Sequence, residues 1–350
     1  MKKIIAMLLS LIMICSLATV AFADGEDAGT TTPSDVSSIT VTKNYNLTNT
    51  GTTSPAETFT FTELTCTGIE NAGVVDVATG AVVTTANAPV PTIGSVIYAE
   101  GDAGKDGSMT KDITITLPSY TAVGIYTYTF SEVNAGVAGV TYYDDPITLV
   151  VTVIEQDGKV RVAAVHTEES GENKSDEFAN EYSAGTLVIS KTVDGNMGDQ
   201  GKYFDVTVTF ASAKPVNAAI TLSGGSNSAN ATSIAKTDWT QGEGENAGYT
   251  ATTTIKVKHG DTVTFTNIPY EVTYTVDEAD YTDDGYTATG EVDTATAINA
   301  GNINATVAIT NTKNANVDTG VALDSAPYIV MLVVAMAGVV ALVAKKRYEV

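Results

Sequence analysis

Short runs of alternating apolar and polar residues, separated by Gly, Asn and Asp turns, fill the chain between its two ends. Examples are ITVTKNY, KDITITL and ITLVVTVIE in the first half, and TLVISKTV, DTVTFTNI and ATVAITNTK in the second. Such alternation is typical of strands that bury one face, and helical periodicity is confined to the two terminal apolar runs. We therefore predict an all-β chain of two tandem Ig-like β-sandwich domains.

The N-terminal region has the pattern of a secretory signal. Two early lysines precede an apolar run, and the small residues at its end predict cleavage between Ala23 and Asp24. We expect a signal peptide over 1–23 and a disordered leader over 24–37. Cys66 is then the only cysteine of the mature chain, which excludes an internal disulfide. An exported protein of this kind needs another device for durability.

The C-terminal region has the pattern of a membrane anchor. An apolar run over 328–344 is followed at once by two lysines and an arginine. This order predicts a transmembrane segment over 328–344 and a cytoplasmic basic tail over 345–350.

The overall charge excludes one class of partner. Lys and Arg number 18 against 41 Asp and Glu, so the chain lacks the surplus of cations that neutralises nucleic-acid phosphates. His166 and His259 have no second ligand at metal spacing, and no nucleophile elbow, phosphate loop or His-bearing catalytic set occurs. We predict no nucleic-acid partner, no metal, no cofactor and no conventional enzymatic turnover.

The two halves repeat the same three polar residues in the same order. A lysine stands in ITVTKNY and in LVISKTV, a glutamate in YTFSE and in YTVDE, and an asparagine in EFANEY and in VAITNT. Lys43 precedes Glu132 by 89 residues, and Lys191 precedes Glu278 by 87. This agreement indicates a duplicated domain, and we place the two copies at 38–184 and 185–315, joined near residues 180 to 185.

Each of these polar residues stands at the end of an alternating strand pattern, on the side that the apolar residues share. A charge buried on that side is costly. Burial lowers the pKa of a lysine and raises that of a glutamic acid. A neutral amine is a nucleophile, and a protonated glutamic acid can polarise an asparagine carbonyl and protonate the departing ammonia. The triads therefore permit an amide crosslink from lysine to asparagine. A buried Lys–Glu ion pair with Asn as a hydrogen-bond partner, an unreacted remnant, and polar residues that reach water at the sandwich rim are the alternatives.

With these triads and both terminal signals, nearly the whole chain resembles the major (backbone) pilins of Gram-positive bacteria, whose domains carry self-generated isopeptide bonds. The resemblance implies a structural backbone subunit of a covalently polymerised, cell-wall-anchored pilus, exported to the cell surface from a membrane-anchored precursor. In that family the bonds stiffen a thin fibre against force and proteases. The implied crosslinks are Lys43–Asn180, promoted by Glu132, and Lys191–Asn311, promoted by Glu278.

The resemblance also implies a sorting motif over 316–320. In that family a sortase cleaves between Thr and Gly of an LPxTG-like sequence, which corresponds here to Thr319 and Gly320. Asn316-Val317-Asp318 replace the usual Leu-Pro-x, so the class of sortase stays open. The alternative is an ordinary anchor with a chance Thr-Gly pair.

Polymerisation needs an acceptor lysine on the next subunit, and the resemblance favours Lys174, in a polar loop just before Asn180. Lys105, Lys111 and Lys202 are its rivals. The implied partners are a sortase and identical subunits, with minor pilins and peptidoglycan as further partners and no host ligand indicated. Two other functions stay open, a monomeric sortase-anchored adhesin and a membrane-anchored surface enzyme.

Overall fold

The protein is described by a computed structural model. The described residues are 35–49, 51–70, 74–102, 108–169, 174–175, 177–244, 247–315 and 326–348. The signal peptide with its cleavage site at Ala23 and Asp24, most of the leader, and the sorting motif over 316–320 lie outside them. Internal contacts divide the chain into two compact units, Met1–Ser183 and Ala184–Val350, which we call domain 1 and domain 2.

The described residues of domain 1 form eleven strands. These are β1 (Ser38–Leu47), β2 (Glu57–Phe59), β3 (Thr65–Glu70), β4 (Thr92–Ile93), β5 (Val96–Tyr98), β6 (Ser108–Thr116), β7 (Gly124–Phe130), β8 (Val140–Thr141), β9 (Ile147–Gln156), β10 (Lys159–Glu168) and β11 (Glu177–Tyr182). One sheet has the order β4-β6-β1-β11-β8, a second has the order β10-β9-β7-β3, and β2 pairs with β5.

Domain 2 also contains eleven strands in its described part. These are β12 (Ala184–Asp194), β13 (Phe204–Ser212), β14 (Ile220–Gly224), β15 (Ser233–Ile234), β16 (Thr240–Gln241), β17 (Tyr249–Val257), β18 (Thr262–Pro269), β19 (Thr273–Glu278), β20 (Thr287–Thr289), β21 (Val292–Ala297) and β22 (Asn304–Thr312). Its sheets have the orders β15-β14-β18-β12-β22-β20 and β16-β17-β13-β19-β21. Two short 3-10 helices, Lys236–Asp238 and Thr282–Asp284, connect strands.

Strand alternation determines the core of each domain. In β7 the burial alternates along the whole strand, and Tyr126, Tyr128 and Phe130 are almost completely buried. In β13 every second residue from Phe204 is likewise buried, with threonines between them facing outward. Period-2 sequences can bury only one face per sheet, so pairs of sheets enclose the core between them. The prediction of an all-β fold is confirmed.

Each domain begins and ends with strands that lie side by side. In domain 1, β1 pairs in parallel with β11, the last strand of that domain. In domain 2, β12 pairs in parallel with β22. Every other strand pairing among the described residues is antiparallel. The first and last strands of each domain are therefore direct neighbours.

The C-terminal apolar run is helical. The helix α1 (Ala326–Tyr348) covers the predicted membrane segment at 328–344. Over the described residues, however, no helix meets the length and apolarity needed to cross a membrane, so the predicted span is not confirmed.

Candidate functional site

Strand register brings the first Lys, Glu and Asn triad together. Across the parallel pair β1 and β11, Lys43 lies opposite Phe178 and Asn180 lies opposite Tyr45. Lys43 and Asn180 are thus offset by two residues on neighbouring strands, which places both side chains on the same face of the sheet. Glu132 follows β7 in the other sheet, where a bridge to Phe61 fixes its backbone.

The side chains of this triad form a closed set of contacts. The Nζ of Lys43 lies 2.6 Å from Oδ1 of Asn180 and pairs with Oε2 of Glu132. The Nδ2 of Asn180 donates to Oε1 of the same carboxyl group. The backbone N–H of Tyr143 donates to Oδ1 of Asn180 at 2.8 Å. Every polar atom of the asparagine side chain is therefore engaged.

Apart from Glu132 and Asn180, aromatic side chains surround the amine of Lys43. Its side chain is fully buried, and the rings of Phe59 and Phe178 lie 5.2 and 6.0 Å from Nζ. Burial lowers the pKa of Lys43, although the neighbouring Glu132 acts in the opposite direction. The geometry thus holds an amine with depressed basicity against an amide carbonyl.

The second triad is built in the same way. Lys191 on β12 lies opposite Ile309 of β22, two residues before Asn311, and Glu278 ends β19 in the facing sheet. The Nζ of Lys191 lies 2.5 Å from Oε1 of Glu278, with the ring of Phe204 at 4.5 Å. The same two-residue offset therefore occurs in both domains.

The pKa shifts in domain 2 favour the neutral forms of the pair. Burial lowers the pKa of Lys191, against the influence of Glu278. Burial raises the pKa of Glu278, against the influence of Lys191 and of the nearby Asn311 amide. Transfer of the proton from ammonium to carboxylate removes both buried charges. A neutral amine beside a carboxylic acid is the state that the predicted crosslinking would need.

Asn311 is fully buried, yet its amide is unsatisfied. Within the described part of the chain, neither Oδ1 nor Nδ2 of Asn311 has a hydrogen-bond partner, and Oε2 of Glu278 also lacks one. An unpaired buried polar group costs about 1–3 kcal/mol. The Asn311 amide is close enough to Glu278 to favour its ionised form, but no hydrogen bond of normal geometry joins them.

The proposed acceptor lysines differ in their surroundings. Lys174 is exposed and forms an isolated bridge with Glu168. Lys111 is held by Asp102 at 2.6 Å and by the carbonyl of Ile97 at 2.7 Å. Lys202 pairs with Asp284 and lies over three aromatic rings. Lys105 and the cleavage site at Thr319 and Gly320 lie outside the described residues.

Two features of the sites escaped prediction from the sequence. The donor at Tyr143 is a backbone group, so no residue type signals it. The aromatic rings around the lysines come from strands that are distant in sequence.

In the ranges that the structure describes, no group of three or more His, Cys, Asp or Glu side chains is arranged to hold a metal ion.

The chain is similar to known pilins. Residues 39–183 match the family described as Spy0128-like isopeptide containing domain, and residues 185–313 match a domain family of unknown function (DUF7601). A curated relative, a pilin from Streptococcus pyogenes serotype M1, is 29% identical over 336 residues, which cover 88% of this chain and 91% of the relative.

Solved structures agree with this assignment at the level of the fold. The crystal structure of the major pilin from Streptococcus pyogenes is 23% identical with a TM-score of 0.50, covering 80% of this chain and 99% of that one. The major pilin T3.2 of serotype GAS13637 from the same species has 19% identity and a TM-score of 0.51, with the same coverage. Residues 39–183 thus match the isopeptide-containing domain family, and the chain is similar to pilins of Streptococcus pyogenes.

Proposed function

We propose that the chain is the backbone subunit of a covalently polymerised, cell-wall-anchored pilus, and that one Lys–Asn isopeptide bond closes each domain. The observation that carries the proposal is the meeting of a buried Lys, Glu and Asn in both domains, with the lysine amine against the other two side chains in domain 1. The pilin relatives support the fibre function.

The contacts in domain 1 support a complete reaction. The neutral Nζ of Lys43 adds to Cγ of Asn180, and its surplus proton passes to the Glu132 carboxyl group. The same carboxyl group protonates Nδ2, to which it is already hydrogen-bonded. The Cγ–Nδ2 bond breaks, ammonia leaves and an amide bond from Nζ to Cγ remains. Fixed proximity of this kind is equivalent to an effective molarity of about 10⁵ M or more.

Domain 2 supports the same reaction between Lys191 and Asn311. Glu278 contacts the amine, and its raised pKa favours the protonated acid that the departing ammonia requires. The unpaired atoms of Asn311 give the unreacted state an additional cost. Conversion of this amide into a crosslink would join it to Lys191, which lies two residues away in register on the neighbouring strand.

The position of the bonds supports a mechanical function. Each would join the first strand of a domain to its last strand, so that most of the domain lies inside one closed loop. If the entropy of loop closure follows the relation for disulfides, a loop of this length stabilises the fold by about 5 kcal/mol. The bonds would thus supply the durability that a chain with one mature cysteine cannot obtain from a disulfide.

Polymerisation would use the sorting motif and an exposed amine. A sortase would cleave between Thr319 and Gly320 and transfer the threonine carbonyl to Lys174 of the next subunit, or to peptidoglycan at the fibre base. Lys174 is exposed and forms no ion pair with the described residues. Lys111 and Lys202 are each held by an aspartate. These differences favour Lys174 as acceptor.

The test is the pattern of covalent species in cell-wall extracts of the producing bacterium. We expect wild-type protein to form a ladder of covalent multimers, and Lys174→Arg to abolish it. Lys202→Arg is the matched control and should retain the ladder. A single wall-linked species from the wild-type protein would contradict the pilus and favour a monomeric adhesin.

A further inference from the structure

We propose that the backbone N–H of Tyr143 is a catalytic hydrogen-bond donor of domain 1, which stabilises the oxyanion that forms on Oδ1 of Asn180 when Lys43 attacks. The inference rests on the proposed isopeptide reaction and adds a catalytic group to it. Its basis is the 2.8 Å hydrogen bond from the Tyr143 nitrogen to Oδ1. Oxyanion donors act at about 2.7–3.1 Å.

The chain leaves the sheet so that this N–H becomes available. The strand β8 pairs with β11 through Thr141 and Glu181, and the ladder ends there. Two residues later the N–H of Tyr143 points to the side chain of Asn180 instead of to a backbone carbonyl. The donor therefore lies two residues beyond β8, in the segment that leaves the strand next to β11.

Ring packing holds the donor in place. The Tyr143 ring packs against Phe178 with the centroids 5.7 Å apart. Phe178 is almost completely buried and lies on β11, two residues before Asn180. The acceptor Asn180 lies on β11, and the Tyr143 residue that supplies the donor packs its ring against Phe178 of the same strand. A donor fixed before the reaction needs no reorganisation when the charge forms.

The Tyr143 N–H contacts the oxygen of the Asn180 amide, whereas Glu132 contacts the two nitrogens that react. Oε2 of Glu132 faces the lysine amine and Oε1 faces Nδ2, so the carboxyl group is occupied with the two nitrogens. When Nζ bonds to Cγ, the carbonyl electron pair moves to Oδ1, where Tyr143 is the donor that is not itself reacting. The pair returns when the Cγ–Nδ2 bond breaks and ammonia leaves with the proton from Glu132.

Domain 2 offers an internal comparison. Among the described residues no group donates to Oδ1 of Asn311. The donor is therefore a feature of domain 1 only, and its removal should slow one of the two crosslinks and spare the other.

The test replaces the Tyr143 amide by an ester in the full chain, which removes the N–H and keeps the side chain. The α-hydroxy analogue of tyrosine is inserted at position 143 during cell-free synthesis, and samples are quenched in denaturant at intervals. The crosslinked peptides of both domains are quantified by mass spectrometry after digestion. Loss of one oxyanion donor should slow formation of the Lys43–Asn180 bond about 100-fold and leave the Lys191–Asn311 bond unchanged.

Two controls make the outcomes distinct. Tyrosine inserted at position 143 by the same route, and the ester at the exposed Tyr203, should both give the wild-type rate. An ester at position 143 that reacts at the wild-type rate would overturn the inference. Failure of both crosslinks with tyrosine at position 143 would instead overturn the proposed function.

A second measurement, on wild-type protein, tests the inference even if the ester variant does not fold. In wild-type protein labelled with ¹⁵N and ¹³C, a scalar coupling through the hydrogen bond should join the Tyr143 nitrogen to Cγ of residue 180. Absence of the coupling together with rapid solvent exchange of the Tyr143 amide would refute the inference whatever the variant does.

Discussion

Two lysines on the inner faces of sheets determine the chemistry at the scale of single residues. Lys43 is 0% and Lys191 is 2% exposed, and a buried ammonium group is costly even when it is paired. In both sites burial lowers the lysine pKa. Burial favours the neutral amine, which is the nucleophile of the proposed reaction. The amide product carries no charge, so the reaction also removes the cost of a buried ammonium group.

Glu132→Gln should abolish the crosslink of domain 1 alone. Glutamine has nearly the same shape, but it cannot carry a proton from the amine to the departing ammonia. Intact mass should then show the loss of one ammonia, with the Lys191–Asn311 bond retained. Glu57→Gln is the matched control, since Glu57 is also a buried glutamate of domain 1, and it should retain both losses. Two losses in Glu132→Gln would contradict the assigned role.

The unreacted lysine of domain 2 should reveal itself in the pH dependence of stability. In Asn311→Ala the amine stays free, and burial lowers its pKa below the ordinary value of 10.5. Between the lowered pKa and about 10.5 the unfolded chain binds more protons than the folded chain, so the free energy of unfolding rises with pH. Denaturant titrations from neutral pH upward measure this rise.

The control for this prediction removes the titrating group. Lys191→Met combined with Asn311→Ala should lose the rise, and the crosslinked wild type should lack it as well because its lysine is an amide. An identical pH profile in the single and double variants would show that Lys191 does not titrate as described.

At the scale of strands, the decisive feature is the parallel pairing of first and last strands. Period-2 alternation in the sequence correctly predicts which faces of β1, β12, β19 and β22 are buried, including their polar members. The alternation cannot predict the pairing partner, because register across strands that are distant in sequence depends on the whole sheet. The two-residue offset between lysine and asparagine therefore emerges only from the structure.

Gly290→Ala should destabilise the edge of domain 2 that carries Asn311. Gly290 has a φ of +93°, and an added Cβ would lie 1.9 Å from the carbonyl oxygen of Ala308 on β22. The collision would act on β22, the strand that carries Asn311, and the positive φ would add backbone strain at residue 290 itself. Thermal unfolding should show that the free energy of unfolding falls by about 3 kcal/mol or more, as expected for a steric clash in a packed region.

Gly244→Ala separates the clash from the backbone strain. Gly244 has a φ of +97°, but nothing lies within 4 Å of an added Cβ. Its cost should be limited to the strain of the positive φ, about 1–2 kcal/mol. Equal losses in the two variants would show that contact with β22 is unimportant.

At the scale of the whole molecule, the same construction occurs twice along one chain. The repeat was predictable because Lys, Glu and Asn recur in the same order with similar spacing. The Tyr143 donor and the aromatic rings beside the lysines were not, since they depend on backbone direction and long-range packing. Two crosslinked domains in series would transmit tension through covalent bonds between the first and last strands of each.

Loss of both crosslinks should weaken the molecule without changing its fold. Asn180→Ala combined with Asn311→Ala opens both loops, and each should cost about 5 kcal/mol if closure entropy follows the relation for disulfides. We expect a lower melting temperature and faster trypsin cleavage, with the β-sheet circular dichroism spectrum retained. Wild-type resistance to heat and trypsin in the double variant would exclude the crosslinks as the source of durability.

The most direct test of the central claim is the intact mass of the recombinant chain without its signal peptide. Each isopeptide bond releases one ammonia, so we expect the mass calculated from the sequence less two ammonia molecules. Digestion should then yield Lys43 joined to Asn180 and Lys191 joined to Asn311. An unmodified mass with separate peptides would contradict the account and leave the two triads as buried ion pairs.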